Sequence, residues 1–368
     1  MPNWPRRTGR ANCGTVAYDP LVTKFALFDW LDESGRGLGE TYAERLEMLE
    51  YADEAGYYCY HLAEHHGTAL STTPSPNIFL SAVAQRTKRI RLGPLGYVLP
   101  AYNPLRLLEE VCMLDQLSGG RLELGVSRGS SPHEGLRFGI EREDSRAVFM
   151  EALEIMLMGF TKGELTYDGK YFQYDGVKTR QRPRQQPYPP LWYPTTSVES
   201  IGWMAAQGFN TAFSINNSGP ERVISNIASY KQEYEAHKDD PGRLNAHVKD
   251  PNYGFSMHVH VADTDEQAYN EAKPAYAVFW DNFTRRYFER GDMKHAGKGD
   301  FDKELAEGKH LVGSPDTVRK QLAELLERTG ANYFIGAFSW GNLTAQQIQR
   351  SLQLFATEVI PALEPVAA

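Results

Sequence analysis

The chain has 368 residues, of which 41% are hydrophobic and 23% charged, enough apolar material for a sizeable core. Its 39 basic and 47 acidic residues give a net charge of −8 with no Lys/Arg cluster, which argues against nucleic acid as a partner. No apolar run approaches the roughly 18 residues of a membrane span, and three scattered cysteines (Cys13, Cys59, Cys112) point to neither a disulfide framework nor a zinc site, so a reduced, cytoplasmic setting is expected.

Residues 1–20 read as an irregular N-terminal extension without a secretion signal, and residues 21–368 as one domain. Strand and helix patterns then alternate. Thr23–Asp29 is the first strand, and the helix over Glu40–Ala55 carries Ala43, Leu46, Leu49 and Ala52 at helical spacing and stops at Gly56. Tyr57–Leu62, Ile90–Leu99 and Leu122–Ser127 are the next strands, separated by helices over Pro76–Thr87 and Pro104–Leu117. A helix over Ser145–Phe160 is followed by a hairpin, Leu165–Tyr174, turning at Asp168-Gly169. Pro190–Tyr193, Asn210–Ser214, Tyr253–Val261 and Tyr333–Phe338 supply four more strands. Eight βα units predict the α/β class and a closed (β/α)8 TIM barrel, with insertions at about 162–189 and 263–310. The second insertion opens with an aromatic helical run and is a candidate lid.

In such a barrel the C-terminal ends of the strands carry the chemistry. Here they present Trp30, Glu64-His65-His66, Gly96-Tyr97, Ser127-Arg128, Thr195-Thr196-Ser197, Ser214, His258 with His260, and Ser339-Trp340. Arg128 can clamp phosphate oxygens in a two-pronged grip. Pro194-Thr195-Thr196-Ser197 runs into a helix over Val198–Gln207, whose free N–H groups at Ser197 and Ser200 favour an anion. Strands four and five are neighbours in a barrel, so both elements can reach one phosphate. Adjacent residues of an extended segment face opposite ways, so one of His65 and His66 faces the cavity as a general acid or base. His258 and His260 share a face, which leaves a metal-dependent barrel hydrolase as an alternative.

The ordered landmarks Glu64-His65-His66, Leu92-Gly93 through Val98-Leu99-Pro100, Asn103-Pro104-Leu105-Arg106, Leu114 to Arg121, Gly125 to Gly129, Arg137-Phe138-Gly139, Ser145-Arg146-Ala147 and Val312-Gly313-Ser314-Pro315 carry a family resemblance. The chain resembles the bacterial luciferase-like, flavin-dependent monooxygenases, and the luciferase alpha subunit in particular, over nearly all of its length past residue 22. The resemblance implies a TIM barrel that takes reduced FMN from a separate flavin reductase. Molecular oxygen would add to the flavin, and the resulting hydroperoxide would oxidise a small, largely apolar organic substrate. It implies His65 as the catalytic histidine. It also implies Arg128, Ser197 and Ser200 at the flavin phosphate, and Leu95-Gly96 beneath the ring, where the family has a non-prolyl cis peptide. Ser127 and Thr196 fall at further flavin-binding positions, although luciferase carries a cysteine and a glutamate there, and Ser131 replaces a tyrosine. Trp30, Tyr97, Phe338 and Trp340 are candidates to line the substrate site. A homodimer is expected. A deazaflavin-dependent oxidoreductase of the same superfamily, or a non-catalytic flavin-binding homologue, is the alternative.

Overall fold

The computed structural model describes residues 23–129, 132–195, 197, 199–288 and 299–363. The N-terminal extension, Cys13, Ser131 and Thr196 lie outside the described residues.

The first half contains β1 (Lys24–Asp29), α1 (Leu38–Ala55), β2 (Cys59–Leu62), α2 (Pro76–Arg86), β3 (Arg91–Pro94), β4 (Tyr97–Val98), α3 (Pro104–Leu117), β5 (Leu124–Ser127), α4 (Pro132–Arg137) and α5 (Ser145–Lys162). A hairpin of β6 (Glu164–Asp168) and β7 (Gln173–Lys178) follows, then β8 (Leu191–Trp192), α6 (Glu199–Ala206), β9 (Thr211–Ser214), α7 (Ile215–Ser218) and α8 (Pro220–His237). The chain continues through β10 (Tyr253–Val261), α9 (Asp265–Phe288), α10 (Phe301–Ala306), β11 (His310–Gly313), α11 (Pro315–Thr329), β12 (Tyr333–Ser339), α12 (Ala345–Leu354) and α13 (Ile360–Leu363).

Among the described residues, parallel pairings run in the order β10-β12-β1-β2-β3, and β9 joins β10. β5 pairs with β4 and β8. Single parallel bridges, Leu92 to Leu122 and Trp192 to Asn210, join β3 to the β5 segment and β8 to β9. The eight strands β1, β2, β3, β5, β8, β9, β10 and β12 thus follow one another in a ring, the order of a TIM barrel. β11 is an addition absent from the expectation; it pairs with the C-terminal half of β10, His258 opposite His310.

Alternation along the strands sorts side chains between two layers. Phe25, Leu27, Tyr60, Leu62, Phe334 and Phe338 belong to the large core between strands and helices. Ala26, Cys59, Trp192, Ala212, Tyr333 and Ile335 form a separate cluster inside the ring. Below them lies a buried polar knot: Arg91 pairs with Glu123 and donates to Gln185 Oε1 at 2.9 Å, while Trp192 Nε1 donates to Glu123 Oε2 at 2.6 Å. The helices start and stop where the sequence supplies caps. The Asn103 side chain accepts from the Arg106 N–H at 3.1 Å to open α3, and Gly56, at φ 87°, closes α1.

Two local expectations need correction. The hairpin does not turn at Asp168-Gly169: Asp168 is paired with Gln173, and a four-residue connection, Gly169–Phe172, is closed by the Gly169 N–H to Phe172 O bond at 3.0 Å. Glu151 on α5 accepts the N–H groups of Lys170, Tyr171 and Phe172, which holds this longer loop in place of a two-residue turn. The strand expected over Ile90–Leu99 is broken into β3 and β4 at Leu95–Gly96, where the peptide is cis.

Candidate active site

The strand ends form an open mouth. Phe28 on β1, Trp30 just after it, Leu95 after β3, Ser127 on β5, Ser214 on β9 and Ser256 on β10 are half-buried, in contrast to the closed layer beneath. The floor is set by His61, whose ring lies 4.8 Å from that of Trp192 and whose Nε2 is 2.9 Å from the Tyr333 hydroxyl. Burial drives the His61 pKa down to about 3, so this ring is neutral.

Glycines bring the backbones of two strands together on one side of the mouth. A Cβ on Gly96 would stand 2.6 Å from the backbone of Gly125 and Val126, and one on Gly125 would stand 2.0 Å from Pro94 O. Only glycine permits this approach. It brings the Gly96–Tyr97 segment against β5, and the Ser127 hydroxyl reaches the carbonyls of Gly96 and Tyr97 at 3.4 and 3.3 Å.

A cleft opens next to this shelf. It is lined by Arg128, Arg146, Phe149, Met150, Tyr193, Ser200 and Trp203. Arg128 follows β5 and Ser200 lies in the first turn of α6, so the structure brings two expected anion-binding residues to one place. Ser197 precedes α6, with its N–H held by the Thr195 hydroxyl at 2.9 Å and its carbonyl accepting the Ser200 N–H at 3.2 Å. Arg146, on α5, belongs to the landmark Ser145-Arg146-Ala147 but was given no binding role from the sequence. Its neighbour in space is set by the packing of α5 against the ring, and an exposed Arg on a helix carries no local mark of such a role. Among the described residues, neither Arg128 nor Arg146 has a hydrogen-bond or ion-pair partner.

The Glu64-His65-His66 turn is organised by its first member. Glu64 is buried, accepts from His66 Nε2 at 2.8 Å and from the Val98 N–H at 3.2 Å, and burial raises its pKa. His66 packs edge-on against Phe138 at 4.7 Å, and Arg137 donates to its carbonyl. His66 therefore ties the turn to α4 and its following residues, while His65 is half-buried at the rim.

The aromatic candidates divide. Tyr97 is fully buried with its hydroxyl donating to Asn77 on α2, and Phe338 packs against Tyr57 and Phe355, at 6.2 and 5.1 Å, in the outer core. Strand alternation turns both rings away from the mouth, which corrects their placement as substrate-lining residues. Trp30 edges the mouth and Trp340 lies behind it, both packed on His258 at 5.2 and 5.1 Å. The helix α9 of the second insertion crosses this region: Phe279 packs at a tilt against Trp30 at 5.0 Å and edge-on against His258 at 4.5 Å. His260 pairs with Glu271 at 2.7 Å, and His258 with Asn216, so the two imidazoles have separate protein partners.

A parallel-strand ring whose C-terminal mouth combines a glycine shelf, an arginine-lined cleft at a helix start and a histidine turn has the layout of an α/β-barrel enzyme, with its candidate site at the strand ends. The sequence profile of the luciferase-like monooxygenases matches residues 22–333, and the chain belongs to that family. It is 38% identical over 341 residues to the Sinorhizobium fredii protein y4wF, covering 90% of this chain and 97% of that one. It is 26% identical over 339 residues to the oxygenase component of the flavin-dependent trigonelline monooxygenase of Acinetobacter baylyi, covering 88% and 90%. The crystal structure of the monooxygenase RslO1 from Streptomyces bottropensis superposes with a TM-score of 0.80 at 25% identity, covering 93% of this chain and all of that one. Among the described residues, no helix is long and apolar enough to cross a membrane.

Proposed function

We propose that the protein is an FMN-dependent monooxygenase that oxidises a small, largely apolar organic compound. The observation that carries this reading is the pair of unpartnered guanidiniums, Arg128 and Arg146, facing one cleft with Ser200 of α6. Two like charges without a counterion repel one another, and a phosphate dianion relieves both while accepting from the Ser200 hydroxyl beside them. The shelf at Leu95–Gly96 and Gly125 fits a flat ring laid beside that phosphate, because a single Cβ on either glycine would meet backbone.

Bound in reduced form, FMN supplies the electrons that activate molecular oxygen. The protein's own contribution is positional. Arg128, Arg146, Ser197 and Ser200 hold the phosphate, Leu95 and Ser127 border the ring, and His65 exchanges a proton at the rim. Thr196 belongs to the same set by its place in the chain. Trp30, on the far side of the mouth, faces the substrate. A separate flavin reductase is part of this reading, supported by the description of the Acinetobacter relative as an oxygenase component. So is a homodimer: Ile78 on α2 and Met113 and Leu117 on the adjacent α3 are exposed by 76, 56 and 49%. Cytoplasmic placement rests on the sparse cysteines, two of which, Cys59 and Cys112, are free and buried.

Anaerobic titration of the purified protein with reduced FMN, and in parallel with a reduced deazaflavin, tests the reading. Saturable binding of reduced FMN, followed on aeration by oxygen uptake slower than that of free reduced FMN, is the expected result. Preference for the deazaflavin, or binding of neither, overturns it.

A further inference from the structure

The histidine turn after β2 is held from behind by one carboxyl. Along this segment His61, Ala63 and His65 alternate with Leu62, Glu64 and His66. The Ala63 N–H to Asp29 O bond at 2.9 Å carries the strand pairing one residue past Leu62. His61 forms the floor of the mouth against the Trp192 ring, whereas Leu62 belongs to the outer core. The same parity takes His65 to the mouth side and Glu64 and His66 to the outer side. The 2.8 Å bond between Glu64 Oε1 and His66 Nε2 fits this sorting, and it clasps the backbone of His65 between its two ends.

Glu64 also reaches across to the shelf. The ladder between β2 and β3 ends with Leu62 opposite Pro94, and past the bend at Leu95–Gly96 β4 pairs with β5, Val98 opposite Ser127. Glu64 Oε2 accepts the Val98 N–H at 3.2 Å, and the Tyr102 hydroxyl, just before α3, donates to the same carboxyl. The side chain thus takes over from the ladder in tying the histidine turn to the segment that runs along Ser127. None of its surface is exposed, and among the described residues no lysine or arginine pairs with it. Burial raises its pKa, the His66, Val98 and Tyr102 donors oppose that rise, and the Tyr97 phenol is close enough to feel its charge.

We infer that Glu64 is a positioning residue for His65: its carboxyl fixes the histidine turn, through His66 and the Val98 N–H, at one distance from the shelf of Gly96 and Ser127. The inference rests on the proton exchange proposed for His65 and adds the group that aims it. Proton transfer needs its heavy atoms within hydrogen-bond reach, and a misplacement of about 1 Å can cost about 10²-fold in rate. Arg137, which donates to the His66 carbonyl, and Phe138, edge-on to the His66 ring at 4.7 Å, hold the far end of the turn. The near end has Glu64.

The test uses the full chain, isotope-labelled at histidine Cε1, with the His65 NMR signal identified by its loss in His65→Ala. In Glu64→Leu this signal should split or move to the position it has in urea. In Glu64→Gln, whose amide still accepts the Val98 N–H, it should stay single and near its wild-type position. At saturating reduced FMN, reoxidation by molecular oxygen should slow about 10- to 100-fold in Glu64→Leu and recover in Glu64→Gln. Adding Glu64→Leu to His65→Ala should slow it no further, because Glu64 acts through that ring. His66→Leu, which opens the clasp and keeps the Val98 bond, should move the His65 signal in the same way and serves if Glu64→Leu does not fold. An unmoved signal, an unchanged rate, or a double variant that loses the product of the two single losses overturns the proposal. A wild type that does not bind reduced FMN overturns the flavin reading instead, and the His65 signal of the flavin-free protein still decides whether Glu64 positions that ring.

Discussion

Asn282 on α9 donates its side-chain N–H to Asp32 Oδ2 at 2.9 Å, and the same oxygen accepts the Gly341 N–H at 3.1 Å. One buried carboxyl thus ties the helix of the second insertion to the loops after β1 and β12. Burial pushes the Asp32 pKa from 3.8 up to about 7. The native protein holds this proton after the unfolded chain has released it, so the contribution of Asp32 to stability is greatest below about pH 4 and is lost as pH rises towards 7. Asp32→Asn, which keeps an oxygen for Asn282 and Gly341, should flatten the pH dependence of the urea midpoint between pH 4 and 7. It should add up to about 4 kcal/mol at pH 8. An unaltered slope would show that Asp32 ionises normally in the folded protein.

The two arginines of the cleft should contribute separately to anion binding. Arg128→Ala and Arg146→Ala should each weaken reduced FMN by 10-fold or more, on the order of 1.5–3 kcal/mol for a charge-assisted bond. Riboflavin, which lacks the phosphate, should be affected by neither variant. Isothermal titration under anaerobic conditions checks this, and equal losses for both ligands would move the phosphate elsewhere.

His65 sits at the rim, outside the arginine cleft. His65→Ala should leave reduced-FMN affinity within about 2-fold and lower product formation by about 10²–10⁴, the usual range for a positioned acid or base. Steady-state turnover alongside the titration separates the two effects. Unchanged turnover would remove His65 from proton transfer.

The knot beneath the mouth is a matter of stability. Glu123 is buried and holds both Arg91 and the Trp192 indole. Glu123→Gln leaves the guanidinium without its countercharge and should cost about 3–5 kcal/mol, read from the shift of the urea midpoint. Loss of Arg91 and Glu123 together, as Arg91→Met with Glu123→Leu, should cost less than the sum of the single losses.

The sequence by itself determined the barrel strands, because period-two and continuous apolar runs bounded by glycines and helix caps are local signals; β1, β2, β5, β8, β9, β10 and β12 lie where they were expected. The barrel order also places Arg128 and Ser200 at one cleft, since strand-end residues on adjacent units of a barrel are brought together by the fold's regularity. What only the tertiary structure decided depends on contacts between segments far apart in the chain. Arg146 joins the cleft because α5 packs beside the mouth. Tyr97 and Phe338 are turned outward because strand parity, which composition cannot reveal in runs apolar on both faces, puts them in the outer core. The loop at Gly169–Phe172 is held by Glu151, at least 18 residues away in sequence and so invisible to any rule for turns.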